Sequence, residues 1–164
     1  MTFDAPVKDM IYNIAHLTGW TEVSALPVYD AVGIEDVDAA LTEFARFVSE
    51  EIAPLNMVGD QVGSTYEDGR VTLPAGFTEA YAKFVEMGWQ SLPHPEEFGG
   101  QGLPRSVGAA ATEMLNAANM SFALCPLLTE GAIEALLTAA TDEQKATYLE
   151  NLVPGNWTVK RNLT

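Results

Sequence analysis

Basic residues are scarce. Lys and Arg total 8 against 23 Asp and Glu in 164 residues, a formal net charge of -15. Nucleic-acid binding depends on lysine and arginine neutralising phosphates, so this balance argues against a nucleic-acid partner. It also makes the chain by itself a weak trap for polyanions such as CoA. Cysteine is scarcer still: Cys125 alone excludes an intrachain disulfide and suits a reducing, cytoplasmic location. Its setting, SFALCPLL, predicts a small buried hydrophobe. The two histidines, His16 and His94, lie far apart in sequence with no second ligand at helical spacing, so no metal centre is expected. No serine sits on a strand–turn–helix elbow that would favour a nucleophile. The opening MTFDAPVKDM lacks the basic region and apolar core of a signal peptide. No run approaches the roughly 20 apolar residues of a membrane span.

What is present describes a globular helical protein. Hydrophobic residues make up 48% and charged residues 19%, enough apolar surface for one domain with a real core. Met10, Ile11, Ile14 and Leu17 have helical spacing, and Gly19 is a stop. From about Asp36, Val37, Leu41, Phe44, Val48, Ile52 and Leu55 recur every three or four residues, with Pro54 ending or bending that helix. GDQVGSTYEDGRVTLP reads as a loop with a tight turn at Asp68-Gly69. A helix after Pro74 carries Phe77, Ala80, Tyr81, Phe84 and Val85 and stops at Gly88. Another begins near Pro104, its Gly108, Ala109, Ala110 and Ala111 suited to close approach by a further helix. ALCPLLTEGAIEALLTAA is apolar nearly all round and predicts a central buried helix. Thr141 and Gln144 form a capping box for a last helix, with Ala146, Leu149, Leu152 and Val153 facing inward.

The expected fold is all-α, an antiparallel helical bundle. Residues 1–34 form an N-terminal extension, 35–154 the helical domain and 155–164 the first strand of a β-element. In GNWTVKRNLT, Trp157, Val159, Arg161 and Leu163 alternate with polar residues. Local chemistry is thin. Glu50 and Glu51 point to different faces of a helix and suit a solvated surface. FGGQG, residues 98–102, lacks the lysine of a phosphate loop, and its glycines serve a sharp turn. No catalytic residue is assigned.

Four segments in order carry a resemblance: FVSEEIAPLN, PAGFTEAYAKFVEMGWQSLPHPEEFGGQGLP, TDEQKATYLENLVPGNWT and the terminal NLT. Together they resemble the N-terminal part of flavin-dependent acyl-CoA dehydrogenases, over essentially the whole chain. The opening APVKDMIYNIAHLTGW is similar to the long subgroup that includes 3-methylmercaptopropionyl-CoA dehydrogenases. The resemblance implies α,β-dehydrogenation of an acyl-CoA thioester, with FAD as cofactor and electron-transferring flavoprotein as partner. It implies that Thr164 lies beside the flavin, although Val159, Lys160 and Arg161 depart from the small residue, threonine and apolar residue of the family pattern. It also implies that residues 106–118 and 122–138 help line the acyl tunnel. Met114, Phe122 and Leu124 are the candidate substrate residues, with plain core packing as the competing reading.

The glutamate that removes the α-proton has no counterpart here. The chain is therefore expected to be inactive alone, to bind no FAD itself, and to self-associate through exposed apolar helix faces. The competing readings are a free-standing helical interaction module and one subunit of a split dehydrogenase.

Overall fold

Apolar side chains three and four residues apart fold the segment after Gly33 into the helix around which the rest is organised. In the computed structural model, which describes residues 3–159, α1 spans Val7–Leu17, α2 Trp20–Ser24 and α3 Ile34–Phe47. The bundle continues with α4 (Leu55–Val62), α5 (Phe77–Glu86), α6 (Arg105–Ala118), α7 (Met120–Ala139) and α8 (Asp142–Leu152). A hairpin of β1 (Thr65–Glu67) and β2 (Arg70–Thr72) lies between α4 and α5. The helical bundle expected from the sequence is thus the fold of the chain.

Helix α3 opens where the Gly33 N–H donates to the Asp36 carboxylate at 2.8 Å, with Glu35 and Asp36 placing negative charge at the N-terminal turn. Val37, Leu41 and Phe44 are buried. Ahead of Pro54 the backbone widens into a π turn over Val48–Ile52, in which Ala53 N–H reaches Val48 O at 2.8 Å. This turn keeps both Val48 and Ile52 fully buried. Leu55 is only half-buried and starts α4, so the stripe ends earlier than its spacing predicts. Helix α4 also runs through Gly59, where the sequence predicts loop. A β-carbon there would lie 2.9 Å from Cζ of Phe77, so a distant ring packs close against this bare position in the helix, where glycine has poor propensity. The Asp68-Gly69 turn is as expected, with φ of 48° and 79°.

The main core is aromatic. Phe44 meets Trp89 at 5.0 Å, Phe47 at 6.3 Å and Phe84 at 6.5 Å between ring centroids. A smaller cluster joins α7 to α8 through Ile133, Leu149, Leu152 and Val153. The capping box of α8 is formed, with Thr141 N–H donating to Gln144 at 2.9 Å and Gln144 N–H to Thr141 Oγ1 at 3.3 Å. Ala146, expected to face inward, is exposed, because Leu149 and Leu152 alone carry the buried side of that helix. Beyond it, residues 153–157 turn and bend, and residues 155–159 join no strand ladder. The other half of the expected strand, 160–164, lies outside the described residues.

Tyr81 ties this turn to α5, its hydroxyl donating to Gly155 O at 3.0 Å. Burial pushes the Tyr81 phenol up to about 12, and the charge of the Cys125 thiolate adds to the shift. The folded chain therefore holds this proton more tightly than the unfolded chain, whose tyrosine has the ordinary value of 10.0. Well below pH 10.0 both states are protonated. As pH climbs from there towards about 12, the unfolded state loses its proton first and stability falls. Denaturant titrations across that window should show the fall in the native chain and a smaller one in Tyr81→Phe. Equal slopes would contradict the assignment.

Candidate functional site

Helices α6 and α7 pack against each other, and a single residue, Asn119, joins them. It is 1% exposed. Its Oδ1 accepts from Phe122 N–H at 3.1 Å and from Ser121 Oγ at 2.7 Å, capping α7. Its Nδ2 donates to Ile52 O at 3.3 Å, fastening the α6–α7 corner to the π turn. Asn119→Ala should remove the cap and strand the Ile52 carbonyl, costing about 1–3 kcal/mol in chemical denaturation. A loss too small to measure would show that the corner needs no such clamp.

A cavity of about 460 Å³ lies against this pair, walled by buried Leu115 and Ala123 and by Leu127, with Thr112, Asn116 and Glu130 more exposed around it. The segment 88–103 closes one side, with Trp89, Gln90 and Pro93 lining the cavity. Its backbone is heavily cross-tied: Gln101 N–H to Ser91 O at 3.0 Å, Gly102 N–H to His94 O at 2.9 Å and Leu103 N–H to Leu92 O at 3.0 Å. Gly99 and Gly102 take φ of 84° and 65°, the sharp loop expected of FGGQG. The small residues of α6 serve this loop as well as a helix. A β-carbon on Gly108 would sit 2.8 Å from Cγ of Pro93.

His94 is buried at 1% exposure, and its Nε2–H donates to the Glu130 carboxylate at 2.8 Å. Arg105 donates to both oxygens of Glu134 at 2.7 Å, one turn further along α7. Hydrogen bonding to Glu134 raises the Arg105 guanidinium above its already high ordinary value. The donor atoms of His94, Glu130 and Glu134 all lie within 4.8 Å of one another. Sequence spacing gives His94 no second ligand, whereas the fold supplies two carboxylates from another element. Arg105 already answers the charge of Glu134. Glu50 and Glu51 behave as a solvated pair, bound separately to Arg46 and Lys83.

Helix α7 departs most from expectation. It buries Phe122, Ala123, Pro126, Thr129, Ala132 and Ile133, yet Met120, Leu124, Leu127 and Leu128 are 55%, 49%, 42% and 37% exposed. Cys125, predicted to be buried, is exposed on this helix too. By length and composition α7 is apolar enough to cross a membrane, although Glu130 and Glu134 interrupt its apolar run. Its two carboxylates, bonded to His94 and Arg105, anchor it to the bundle.

The candidate substrate residues are not brought together. Met114 is sealed in the core at 1% exposure, and Phe122 packs its ring among Phe77, Tyr81 and Phe84 at 6.3, 6.2 and 6.0 Å. Leu124 lies on the exposed strip of α7. None of the three lines the cavity, whose walls come from other positions on the same two helices and from Trp89 and Gln90. Thr164 lies outside the described residues.

Comparison with known proteins agrees with this architecture. Residues 35–156 match the model of the acyl-CoA dehydrogenase N-terminal domain. The whole chain is 55% identical to 3-methylmercaptopropionyl-CoA dehydrogenase of Ruegeria pomeroyi, of which it covers 28%. Over 121 residues, 74% of the chain, it is 32% identical to (2S)-methylsuccinyl-CoA dehydrogenase of Cereibacter sphaeroides, covering 20% of that protein. It is 28% identical over 153 residues to butyryl-CoA dehydrogenase of Syntrophomonas wolfei, 88% of the chain and 25% of the relative. The chain thus spans a fifth to just over a quarter of the length of these curated relatives. With its helical fold and a domain match over most of its length, the chain belongs to the acyl-CoA dehydrogenase family.

Proposed function

We propose that the protein serves the α,β-dehydrogenation of an acyl-CoA thioester, with α6 and α7 supplying part of the wall around the acyl chain. The observation that carries this reading is the outward strip of α7. Met120, Leu124, Leu127 and Leu128 follow helical spacing on one face, stay exposed, and adjoin the cavity through Leu127. Contiguous exposed apolar surface of this kind marks a place that something covers. Among the acyl groups named for the relatives, the 55% identity favours 3-methylmercaptopropionyl.

The chain's own residues have three tasks in this reading. They exclude water from the acyl group, hold its hydrocarbon part by apolar contact, and fix the loop 88–103 against α6. The family's FAD, when bound, supplies the acceptor for the β-hydrogen. Toward such a group the described residues offer apolar surface only: the α7 strip is uncharged, and the indole of Trp157 is 48% exposed. Electron-transferring flavoprotein is the electron acceptor that this reading brings with it. Left uncovered, the same strip is the surface through which the isolated chain would self-associate.

A chimera tests the proposal. The 164 residues replace the corresponding segment of the Ruegeria pomeroyi enzyme, which is matched along the entire chain. The chimera should retain FAD, and 3-methylmercaptopropionyl-CoA should bleach the flavin absorbance under anaerobic conditions. A folded, FAD-loaded chimera that no acyl-CoA bleaches would overturn the proposal.

A further inference from the structure

The wall of the α6–α7 cavity carries polarity that packing does not require. Trp89 packs at a tilt against Phe44 and Phe47 at 5.0 and 6.1 Å between ring centroids, contacts that a phenylalanine would also make. Gln90 beside it is 5% exposed, in a position where leucine would fill similar space. Both residues line the cavity. Trp89 Nε1–H and Gln90 Oε1 are buried without a hydrogen-bond partner, and they are the two such side-chain atoms among the described residues. A buried donor and a buried acceptor left unpaired are both costly, and folded proteins rarely keep either without a use. Here the two occur on adjacent residues at one cavity.

We infer that this cavity selects acyl groups bearing a hydrogen-bonding atom near their far end over plain alkyl chains of equal length. Trp89 acts as the donor and Gln90 as the acceptor. The inference rests on the proposed acyl-binding role of α6 and α7. The side-chain chemistry sets an order among ligands. A thioether sulfur is a weak acceptor and cannot donate, so it pairs with Trp89 alone. A hydroxyl both accepts and donates, so it serves Trp89 and Gln90 together, with the amide in either orientation. An alkyl end satisfies neither.

The test uses pantetheine thioesters of equal acyl size, pentanoyl, 3-methylmercaptopropionyl and 4-hydroxybutanoyl. Each is titrated into the isotopically labelled 164-residue chain and followed by NMR at the methyl groups of Leu115, Ala123 and Leu127 and at the Trp89 indole N–H. All three thioesters should move the methyls. The hydroxyl-ended one should bind roughly tenfold tighter than pentanoyl, and the thioether about threefold tighter, the scale of one or two net hydrogen bonds.

The indole resonance should move with these two and not with pentanoyl. Gln90→Leu should erase the advantage of the hydroxyl over the thioether, and Trp89→Phe the advantage of the thioether over pentanoyl. Trp89→Phe opens space in the aromatic core, so the indole shift in the native chain supplies a readout that does not depend on that variant folding. Equal affinities with an unmoved indole resonance, or a preference for the hydroxyl over the thioether that survives Gln90→Leu, overturn the inference and leave the acyl-binding role standing. Methyls that none of the three thioesters moves overturn the inference, and the acyl-binding role is then decided by the chimera.

Discussion

Phe44→Ala should destabilise the chain by about 3–5 kcal/mol, the range for removing a fully buried phenylalanine ring. Phe44 is 1% exposed within the main core. It lies on α3, stacks at 20° to Phe47 on the same helix, and meets Phe84 of α5 and Trp89 of the following turn. Offset and tilted aromatic pairs contribute beyond their buried area. The ring also lines the α6–α7 cavity, so truncation merges the lost volume with space already present, and neighbouring side chains have little reason to collapse into it. Urea titration of the variant, with Phe44→Leu as the volume-sparing control, measures the effect. A loss below about 1 kcal/mol would mean that the site repacks and that the cluster is not the centre of the fold.

Gly100→Ala should cost at least about 1–3 kcal/mol, the penalty for inserting a methyl group where there is no room. A β-carbon at this position collides with the His94 carbonyl and comes within 2.7 Å of Pro95 O. These are backbone atoms and cannot rotate away. The Gly100 N–H donates to that same Pro95 carbonyl at 3.0 Å, and Gly102 N–H to the His94 carbonyl at 2.9 Å. Relieving the clash therefore breaks the ties that hold the loop 88–103 beside the cavity. Denaturation gives the magnitude, and amide exchange at Gln101, Gly102 and Leu103 should accelerate in the variant. Unchanged exchange with native stability would show that the loop can shift without loss.

How far the sequence carries depends on how local each cause is. The stripe from Val37 to Ile52 is legible because helical spacing and burial coincide on one face. The capping box of α8 and the Asp68-Gly69 turn are legible because each involves residues three apart or fewer. Helix α4 is not, because the ring packed against glycine at position 59 belongs to Phe77, 18 positions on. The pairing of His94 with Glu130 spans 36 positions and leaves no trace in spacing.

Helix α7 misleads for another reason. An apolar helix reads the same whether its own domain buries it or leaves a face for something else, and Leu124, Leu127 and Leu128 are exposed. The resemblance points to α6 and α7 for the acyl wall, and both helices border the cavity. The chosen residues miss the cavity because α6 is buried on more than one side, Met114 in the core and Leu115 against the cavity. Trp89 and Gln90 escape notice altogether, since a polar atom is unpaired only with respect to its three-dimensional surroundings.

The central claim is that α6 and α7 touch the acyl group, and photolabelling tests it most directly. The FAD-loaded chimera is irradiated with an acyl-CoA carrying a diazirine near the end of its acyl chain, and the labelled peptides are mapped by mass spectrometry. Labels within residues 105–139, suppressed by excess 3-methylmercaptopropionyl-CoA, are the predicted result. Labels that fall wholly outside residues 1–164, under conditions where the same probe bleaches the flavin, would contradict the claim.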